Sequence, residues 1–330
     1  PTPHFPRILV AHLLDAAVGP VDAAFGEATL CGLEVAGDRG AVGSGDAGGV
    51  GAEAFLADRL PVFAIGRDEV VAADVHDGES LKRAFAGAAG VFCVTFFWSH
   101  FSPEKEFAEA EAMAKAAKSA GVPHVIWSTL EDTRRWVPLS DNRMPTLMGK
   151  YKVPHFDAKG EADQVFRQLG VPTTFLLTSF YWDNLIHFGM GPKKGPDGTL
   201  AFTLPMGEAR LPGIAAEDIG KCALGLLKKR DAYLGKTVGI AGEHLTGSQM
   251  AAALTKALGQ EVRYNAVPPE VYRTFGFPGA DDLGNMFQFK RDFNALFCGA
   301  REPAIARALN PGLQTFAQWL EANKGRIPLS

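Results

Sequence analysis

The chain has 330 residues, of which 47% are hydrophobic and 21% are charged, and its formal net charge is -4 at pH 7. These values are ordinary for a globular protein, and the lack of a basic excess argues against direct binding of nucleic acid. No apolar run reaches the ~20 residues that a membrane-spanning helix requires, so no contact with a membrane is expected either.

The cysteines give no sign of a metal site or a disulfide. Cys31, Cys93, Cys222 and Cys298 stand far apart, without a CxxC pair and without a histidine at ligand spacing. This usage predicts reduced thiols in a reducing compartment. The N-terminus shows no basic segment followed by an apolar core, so we expect no signal peptide. The predicted location is the cytoplasm, with the nucleus as an alternative.

Residues 1–42 show little pattern. They contain one short apolar run, Ile8–Leu14, and the chain has no lysine before Lys82, no asparagine before Asn142 and no glutamine before Gln164. Such a break in composition is typical of a low-complexity extension. It is equally typical of a misplaced gene start, and the sequence does not distinguish the two. We treat residues 1–42 as an extension that precedes the predicted domains.

A glycine-rich segment, GSGDAGG, follows this extension. Gly43, Gly45 and Gly48 form a G-x-G-x-x-G pattern, which allows a backbone to approach a pyrophosphate at a helix N-terminus. A helix-like stretch and a strand, Pro61–Ile65, come next. Arg67 stands just past that strand, where a 2′-phosphate would be met, and this favours NADP(H) over NAD. A glycine-rich loop without function is the alternative, because glycines interrupt the segment before it.

From residue 69 onward, strands and helices alternate. The predicted strands are Glu69–Val75, Gly90–Phe97, Val122–Ser128 and Pro172–Thr178, and the predicted helices are Glu79–Ala86, Pro103–Ala120 and His155–Leu169. Fully apolar strands separated by helices are typical of a parallel sheet that is covered on both faces. We therefore predict an α/β fold with a doubly wound parallel Rossmann-type sheet over residues 43–185. Asp74, near a strand end, either contacts adenine or closes a turn.

The pattern changes after residue 185. Short strands and helices are predicted there, at Thr199–Leu204, Ala209–Ile214, Asp218–Lys228, Thr237–Ala241, Ser248–Leu258, Val262–Val267, Glu270–Phe275, Asp282–Phe289 and Gly312–Asn323. Turn-rich connections separate them. Residues 186–330 are thus predicted to form a smaller α+β C-terminal lobe, partly interleaved with the sheet.

Three stretches resemble one family closely in wording and spacing: SPEKEFAEAEAMAKAAKSAGVPHVIWST, PHFDAKGEADQVFRQLGVPTTFLLTSFYWDNL and GIAAEDIGKCALGLL. The chain resembles the NmrA-like family of atypical short-chain dehydrogenases over about residues 61–330. The resemblance implies a Rossmann domain with a small C-terminal lobe and binding of NADP(H). Several members act as redox-sensing regulators that bind a partner protein. The chain departs from the family in a shorter glycine loop and in a short connection between the second and third strands.

The resemblance also implies roles for residues at the strand ends. Thr95 and Phe96 stand where the family often has Thr-Asn, and Ser128, with Thr129, stands where a substrate-polarising hydroxyl is placed. A nicotinamide-side cluster is implied at Phe180, Tyr181 and Asn184. The alternatives are hydroxyls that satisfy loop backbone and aromatic rings that belong to the core.

The catalytic pair of typical short-chain dehydrogenases is a tyrosine four residues before a lysine. Here these positions hold His155 and Lys159. Lys159 can hold the nicotinamide ribose, and His155 is either a general acid or a packing residue. The missing tyrosine favours a redox sensor or regulator without efficient dehydrogenase activity. An NADPH-dependent reductase of a small carbonyl or quinone-type substrate, and a degenerate paralogue that has lost its cofactor, are the alternatives.

Overall fold

The fold is that of a computed structural model, which describes residues 8–12, 61–65, 70–195 and 197–329. The strands are β1 Ile8–His12, β2 Pro61–Ile65, β3 Val70–Ala72, β4 Gly90–Val94, β5 Val125–Thr129, β6 Thr173–Leu177, β7 Phe180–Tyr181, β8 Lys193–Lys194, β9 Leu200–Thr203, β10 Leu211–Ile214, β11 Thr237–Gly239, β12 Glu243–Leu245 and β13 Val262–Asn265. The helices are α1 Gly78–Phe85, α2 Pro103–Ser119, α3 Pro154–Gln168, α4 Asn184–His187, α5 Ala216–Lys228, α6 Arg230–Tyr233, α7 Gly247–Leu258, α8 Pro269–Tyr272, α9 Ala280–Asp292, α10 Asn294–Gly299, α11 Pro303–Leu309 and α12 Phe316–Asn323.

A seven-stranded sheet forms the centre of the molecule, in the order β11-β6-β5-β4-β1-β2-β3. From β11 to β1 every neighbouring pair is parallel. This arrangement confirms the predicted doubly wound α/β fold. β1 lies inside the sheet, between β4 and β2, although its residues precede the predicted domain boundary at residue 43. The boundary itself stays a prediction.

One strand departs from the predicted parallel order. β2 runs antiparallel to both β1 and β3. The reason is the length of the connection, because only residues 66–69 separate the end of β2 from the start of β3. A parallel crossover needs about a dozen residues or more, whereas antiparallel strands can be joined by a short turn. The short connection therefore reverses the strand.

The two faces of the sheet are covered by different helices, as the alternation of side chains in a strand requires. On one face, Val91 and Trp127 pack with Met113 of α2 and Phe166 of α3. On the other face, the intervening residues Phe92, Ile126 and Leu176 pack with residues of α5 and α11. Both faces are thus buried, which explains why the central strands are largely apolar.

The ends of α2 and α3 are marked by residues that favour the start or the end of a helix. α2 begins after Ser102, whose hydroxyl accepts from the backbone N–H of Lys105 at 3.2 Å. It ends before Gly121, which takes a φ of +67° that other residues avoid. α3 has Pro154 in its first turn and ends before Gly170, at a φ of +63°. Both helices match their predicted extents to within one or two residues.

The C-terminal part contributes β11 to the large sheet and builds two small sheets, β12-β10-β7 and β13-β9-β8. Its core is rich in aromatic rings, among them Trp182, Phe287 and Trp319. A capping box between Thr246 and Gln249 starts α7. No helix in the described ranges is both long enough and apolar enough to span a bilayer.

Candidate functional site

The carboxyl ends of β4, β5 and β6 meet at one edge of the sheet, because these strands are parallel. Each strand ends in a hydroxyl or is followed by one: Thr95 after β4, Thr129 at the end of β5 and Thr178 after β6. Ligands of open α/β sheets bind at this edge. α3 runs alongside it and brings Lys159 onto Thr95, so this edge is the candidate site.

Lys159 is buried, and its ammonium is held on several sides. Its Nζ lies 2.8 Å from Oε1 of Glu106 and donates to the carbonyl oxygen of Thr95 at 3.1 Å. It also donates to the hydroxyl of Thr95. The indole ring of Trp127 lies beneath it, with 5.2 Å between Nζ and the ring centroid. The lysine is thus anchored at the end of β4 by a carboxylate, a strand terminus and a ring face.

Close packing of α3 against the loop after β5 fixes this placement. A Cβ at Gly160 would lie 2.5 Å from the backbone nitrogen of Asp132, so only glycine permits the approach. Asp163, one turn further on, accepts from Nε1 of Trp127 at 3.0 Å and from the hydroxyl of Thr129 at 2.7 Å. These contacts lock the helix to β5, and with it the position of Lys159.

Glu106 is the carboxylate partner of Lys159, and it lies on the buried face of α2 with no exposure to solvent. Its Oε1 also accepts from the hydroxyl of Thr95 at 2.5 Å. Burial raises the pKa of Glu106, but the charge of Lys159 and the hydrogen bonds from His100, Lys159 and Thr95 outweigh burial and lower the pKa to about 2. Glu106 is therefore an ionised acceptor throughout the physiological pH range.

His100 and a second glutamate, Glu109, lie next to the Glu106–Lys159 pair. Nε2 of His100 lies 3.5 Å from Oε2 of Glu106 and 3.6 Å from Oε1 of Glu109, and all three side chains are nearly inaccessible. Burial lowers the pKa of His100, but the interactions with both glutamates outweigh burial and raise it to about 9. The backbone N–H of Ser102 donates to Nδ1 of His100 at 3.0 Å.

The raised pKa of His100 favours a doubly protonated imidazole, whereas the hydrogen bond from Ser102 requires an Nδ1 without a proton. In a doubly protonated ring, the Nδ1–H would point at the N–H of Ser102. The bond is a direct geometric constraint, so we assign one proton to the ring, on Nε2 between the two carboxylates. Metal binding at Nε2 is disfavoured for the same reason. A histidine that ligates through Nε2 carries its proton on Nδ1 and donates it, whereas Nδ1 of His100 accepts.

His155, the other half of the predicted catalytic pair, contacts a different partner. Its Nδ1 lies 2.7 Å from Oδ1 of Asp282 in α9, and its backbone N–H donates to Oδ2 at 3.2 Å. The imidazole packs against the rings of Trp98 and Phe156, at 4.7 and 4.8 Å between centroids. Asp282 thus orients the imidazole and joins α3 to the C-terminal lobe.

The predicted cofactor residues fall into two groups. Gly43, Gly45, Gly48 and Arg67 lie outside the described residues. Asp74 follows β3, and its Oδ1 accepts from the backbone N–H of His76 at 2.8 Å, which forms the turn into α1.

The hydroxyls at the end of β5 differ from one another. Thr129 bonds to Asp163 and serves the packing of α3 onto the sheet. Ser128, one position earlier, is buried, with 3% of the residue exposed.

The predicted nicotinamide-side cluster is divided by the fold. Phe180 is buried in the core of the C-terminal lobe, 6.4 Å from the ring of Phe287. Tyr181 and Asn184 are partly exposed, and the Tyr181 hydroxyl donates to Thr178 at 3.3 Å. Phe96, which follows Thr95, packs edge-on against Phe188 at 6.3 Å. Of these residues, Phe180 serves the core.

Four residues of the site were not predicted from the sequence: Glu106, Glu109, His100 and Asp282. A signal for the two glutamates was present, because they share a helical face with Ala110, Met113 and Ala117, which pack onto the sheet. Charged residues on the apolar face of a helix are rarely buried unless they are paired. That spacing was a reason to look for a buried cation opposite them.

A family model described as the NmrA-like family matches residues 42–320 of the chain. Among relatives, an NAD(P)H azoreductase from Xenophilus azovorans is 29% identical over 203 residues, covering 61% of this chain and 63% of the relative. The nitrogen metabolite repression protein nmr of Neurospora crassa is 28% identical over 198 residues, covering 58% of this chain and 38% of that protein. The matches thus span less than two thirds of either relative.

Solved structures show a similar fold. NmrA, a negative transcriptional regulator, has a TM-score of 0.61 at 24% identity, covering 75% of this chain and 77% of NmrA. NmrA in complex with NADP has a TM-score of 0.59 at 24% identity, covering 74% of this chain and 76% of NmrA. The triphenylmethane reductase of Citrobacter sp., complexed with NADP(H), has a TM-score of 0.58 at 17% identity, covering 76% and 81% of the two chains.

Proposed function

The chain belongs to the NmrA-like family, and from this premise we propose that it binds NADP(H) as a redox-sensing regulator without efficient dehydrogenase activity. A regulator of this kind acts through a partner protein that distinguishes the bound from the free state. The roles of two similar proteins support the proposal. NmrA is a negative transcriptional regulator whose structure was solved in complex with NADP, and nmr is a nitrogen metabolite repression protein.

One observation carries the proposal. The residue four positions before Lys159 is a histidine whose Nδ1 is bound to Asp282. Lys159 donates its hydrogen bonds to Thr95 and forms an ion pair with Glu106. In the described part of the chain, no tyrosine hydroxyl is bonded to the lysine. The arrangement therefore lacks the phenol that passes a proton while hydride moves, although it keeps a cation where a dinucleotide would lie.

The described residues fit the nicotinamide half of a dinucleotide. The carboxyl ends of the parallel strands form the expected edge, and Lys159 stands at it with Thr95. Bound NADPH would carry the hydride that the reductase alternative requires, and Lys159 with Thr95 would contact its nicotinamide ribose. Arg67 and the three glycines of the predicted loop remain predicted contacts of the phosphate groups.

Calorimetric titration of the purified chain with NADPH and, separately, NADH tests the proposal. We expect binding of NADPH in the micromolar range with weaker binding of NADH, and no steady oxidation of NADPH by quinone-type acceptors. Steady turnover that Lys159→Ala abolishes would sink the regulator proposal. No binding of either dinucleotide to the folded chain would instead support the degenerate paralogue.

The second candidate is an NADPH-dependent reductase of a small carbonyl or quinone-type substrate, and the Asp282–His155 pair favours it. A carboxylate on Nδ1 holds an imidazole in one orientation, which is how a histidine is prepared to give a proton from Nε2. His155 is a catalytic residue in this candidate, and Asp282 is its positioning residue.

A variant at Asp282 separates the two candidates. If His155 donates the proton, Asp282→Asn should lower the rate of NADPH oxidation about 10- to 100-fold and shift its pH profile, while NADPH affinity is retained. If His155 only packs, the variant lowers the unfolding midpoint by a few degrees, and there is no catalytic rate to lose. His155→Gln is the matched variant, because it changes the other partner of the His155–Asp282 bond.

A further inference from the structure

We propose that Glu106 and Lys159 together bind a ribose hydroxyl of the dinucleotide, and that the hydroxyl of Thr95 occupies this site in the free protein. The inference rests on the proposed binding of NADP(H) and adds Glu106 and Thr95 to the residues that bind the ligand. It also means that the Thr95 hydroxyl competes with the ribose hydroxyl for the same position.

The first step is that the Thr95 hydroxyl stands between the two charged groups. Lys159 donates to the carbonyl oxygen and to the hydroxyl of Thr95, and its Nζ forms an ion pair with Oε1 of Glu106 at 2.8 Å. The same hydroxyl donates to Oε1 of Glu106. A ligand hydroxyl can take a place between Lys159 and Glu106 only if the Thr95 hydroxyl leaves it.

The second step is that the Thr95 hydroxyl makes the bonds that a sugar hydroxyl would make. It accepts from the ammonium of Lys159 and donates to Oε1 of Glu106 at 2.5 Å. A hydroxyl both donates and accepts, so a cation and a carboxylate side by side suit it on both counts. Rotation of Thr95 about its Cα–Cβ bond would free both groups together.

The third step concerns the chemical class of the ligand group. Glu106 is held ionised, and Glu109 places a second buried carboxylate near it, against the same Nε2 of His100. Two carboxylates repel a phosphate or a carboxylate of a ligand, whereas they attract a neutral hydroxyl that can donate. The site therefore suits a ribose hydroxyl and excludes an anionic group.

The experiment compares two ligands on the same protein by calorimetry. NADP⁺ carries both riboses, whereas 2′,5′-ADP carries only the adenosine half and does not reach Lys159. Thr95→Val removes the competing hydroxyl and keeps the shape of the side chain. We expect it to tighten NADP⁺ binding about 3- to 10-fold, the worth of one hydrogen bond that no longer has to be broken. Thr95→Ser should bind like the wild type.

Glu106→Gln removes the charge that accepts from the ligand and should weaken NADP⁺ binding about 10-fold or more. Glu109→Gln is the matched control, because Glu109 lies on the same buried face of α2 and contacts His100 instead of Lys159. It should leave NADP⁺ affinity within about twofold of the wild type. None of the variants should change the affinity for 2′,5′-ADP.

The outcomes separate this proposal from the proposed function. If the wild type binds neither ligand, the proposed function fails, and this inference fails with it. If 2′,5′-ADP and NADP⁺ bind but Thr95→Val binds NADP⁺ no more tightly than the wild type, only the competition by the Thr95 hydroxyl is refuted. The comparison of Thr95→Val with the wild type does not require Glu106→Gln, so it remains a test even if Glu106→Gln does not fold.

Discussion

Three lysines are buried in the described part of the chain, and two of them, Lys159 and Lys290, have surroundings that differ in kind. Lys159 lies at the edge of the large sheet against an ionised carboxylate, Glu106, at 2.8 Å. Lys290 lies in α9, inside the C-terminal lobe, and is 3% exposed. Its Nζ contacts Sδ of Met286 at 3.2 Å. In the described part of the chain no carboxylate is paired with it.

Aromatic rings surround Lys290 in place of a counter-charge. The centroids of Phe156, Phe287 and Phe297 each lie 5.4 Å from Nζ. Ring faces attract a cation, but burial lowers the pKa of Lys290, as does the charge of Arg301, and the opposing effect of Glu131 leaves it at about 7. Lys290 thus gives up its proton readily among rings, whereas Lys159 has an ionised carboxylate as its counter-charge. Only a lysine with such a counter-charge suits the binding of a ligand hydroxyl.

The largest expected effect comes from breaking the paired lysine. Glu106→Gln leaves the ammonium of Lys159 buried without a counter-charge, which should lower the free energy of unfolding by about 3–5 kcal/mol. The double variant Glu106→Leu with Lys159→Met should recover most of this loss, since it removes both charges. Denaturant unfolding of the single and double variants measures it.

An exposed ion pair on the same helix supplies the control. Lys115 and Glu111 lie 3.0 Å apart, with 59% and 41% of their side chains exposed. Glu111→Gln should cost less than about 1 kcal/mol. A cost for Glu106→Gln as small as that of the exposed pair would mean that water reaches Lys159, contrary to its burial here.

Replacing Lys290, which has no carboxylate partner among the described residues, should raise the free energy of unfolding, whereas Glu106→Gln should lower it. The folded pKa of Lys290, about 7, lies below the unfolded value of 10.5, so the folded protein binds fewer protons than the unfolded chain between those values. The free energy of unfolding therefore rises with pH across this window, by at most about 1.4 kcal/mol per pH unit. Lys290→Met should flatten the rise and stabilise the protein at pH 7 by about 2–4 kcal/mol.

Denaturant unfolding at pH 7 and pH 9.5 measures both parts of this prediction. Lys256→Met, at an exposed position of α7, is the matched control and should leave the pH dependence as it is. If Lys290→Met destabilises the protein and the rise with pH persists, the ammonium is charged and well held by its three rings. The contrast with Lys159 would then disappear.

The smallest expected effect is that of added metal. His100, Glu106 and Glu109 place ligand atoms within 4.8 Å of one another, which a metal ion would suit by distance alone. The donation of Ser102 to Nδ1 instead assigns the proton to Nε2, so Zn²⁺ or Mn²⁺ should leave the unfolding midpoint unchanged. A rise in the midpoint that His100→Gln abolishes would show that a metal balances the charges behind Lys159.

Much of the fold could be predicted because it depends on local patterns. Glycine directly after the helical patterns of α2 and α3 marked their ends, and runs rich in apolar residues marked the buried strands. The direction of β2 was the exception. The sequence shows the short connection to β3, but the pairing within the sheet shows that β2 is antiparallel.

The site could be predicted only in part. Lys159 and Thr95 were chosen by resemblance, and the structure brings them together across 64 positions of the chain. Glu106, the partner that decides the charge at this point, lies on another helix and was missed. Asp282 likewise meets His155 from 127 positions away. Pairings of this kind depend on how α2, α3 and α9 pack, and no local pattern specifies them.

The amino-acid sequence by itself determined the alternation of strands and helices, the two-sided burial of the sheet and the family. Side-chain period, turn residues and end signals act over a few residues, so they can be read along the chain. Only the tertiary structure decided which buried lysine keeps a counter-charge. That choice depends on the distance between groups from separate helices, and electrostatic energy in a buried site changes steeply with that distance.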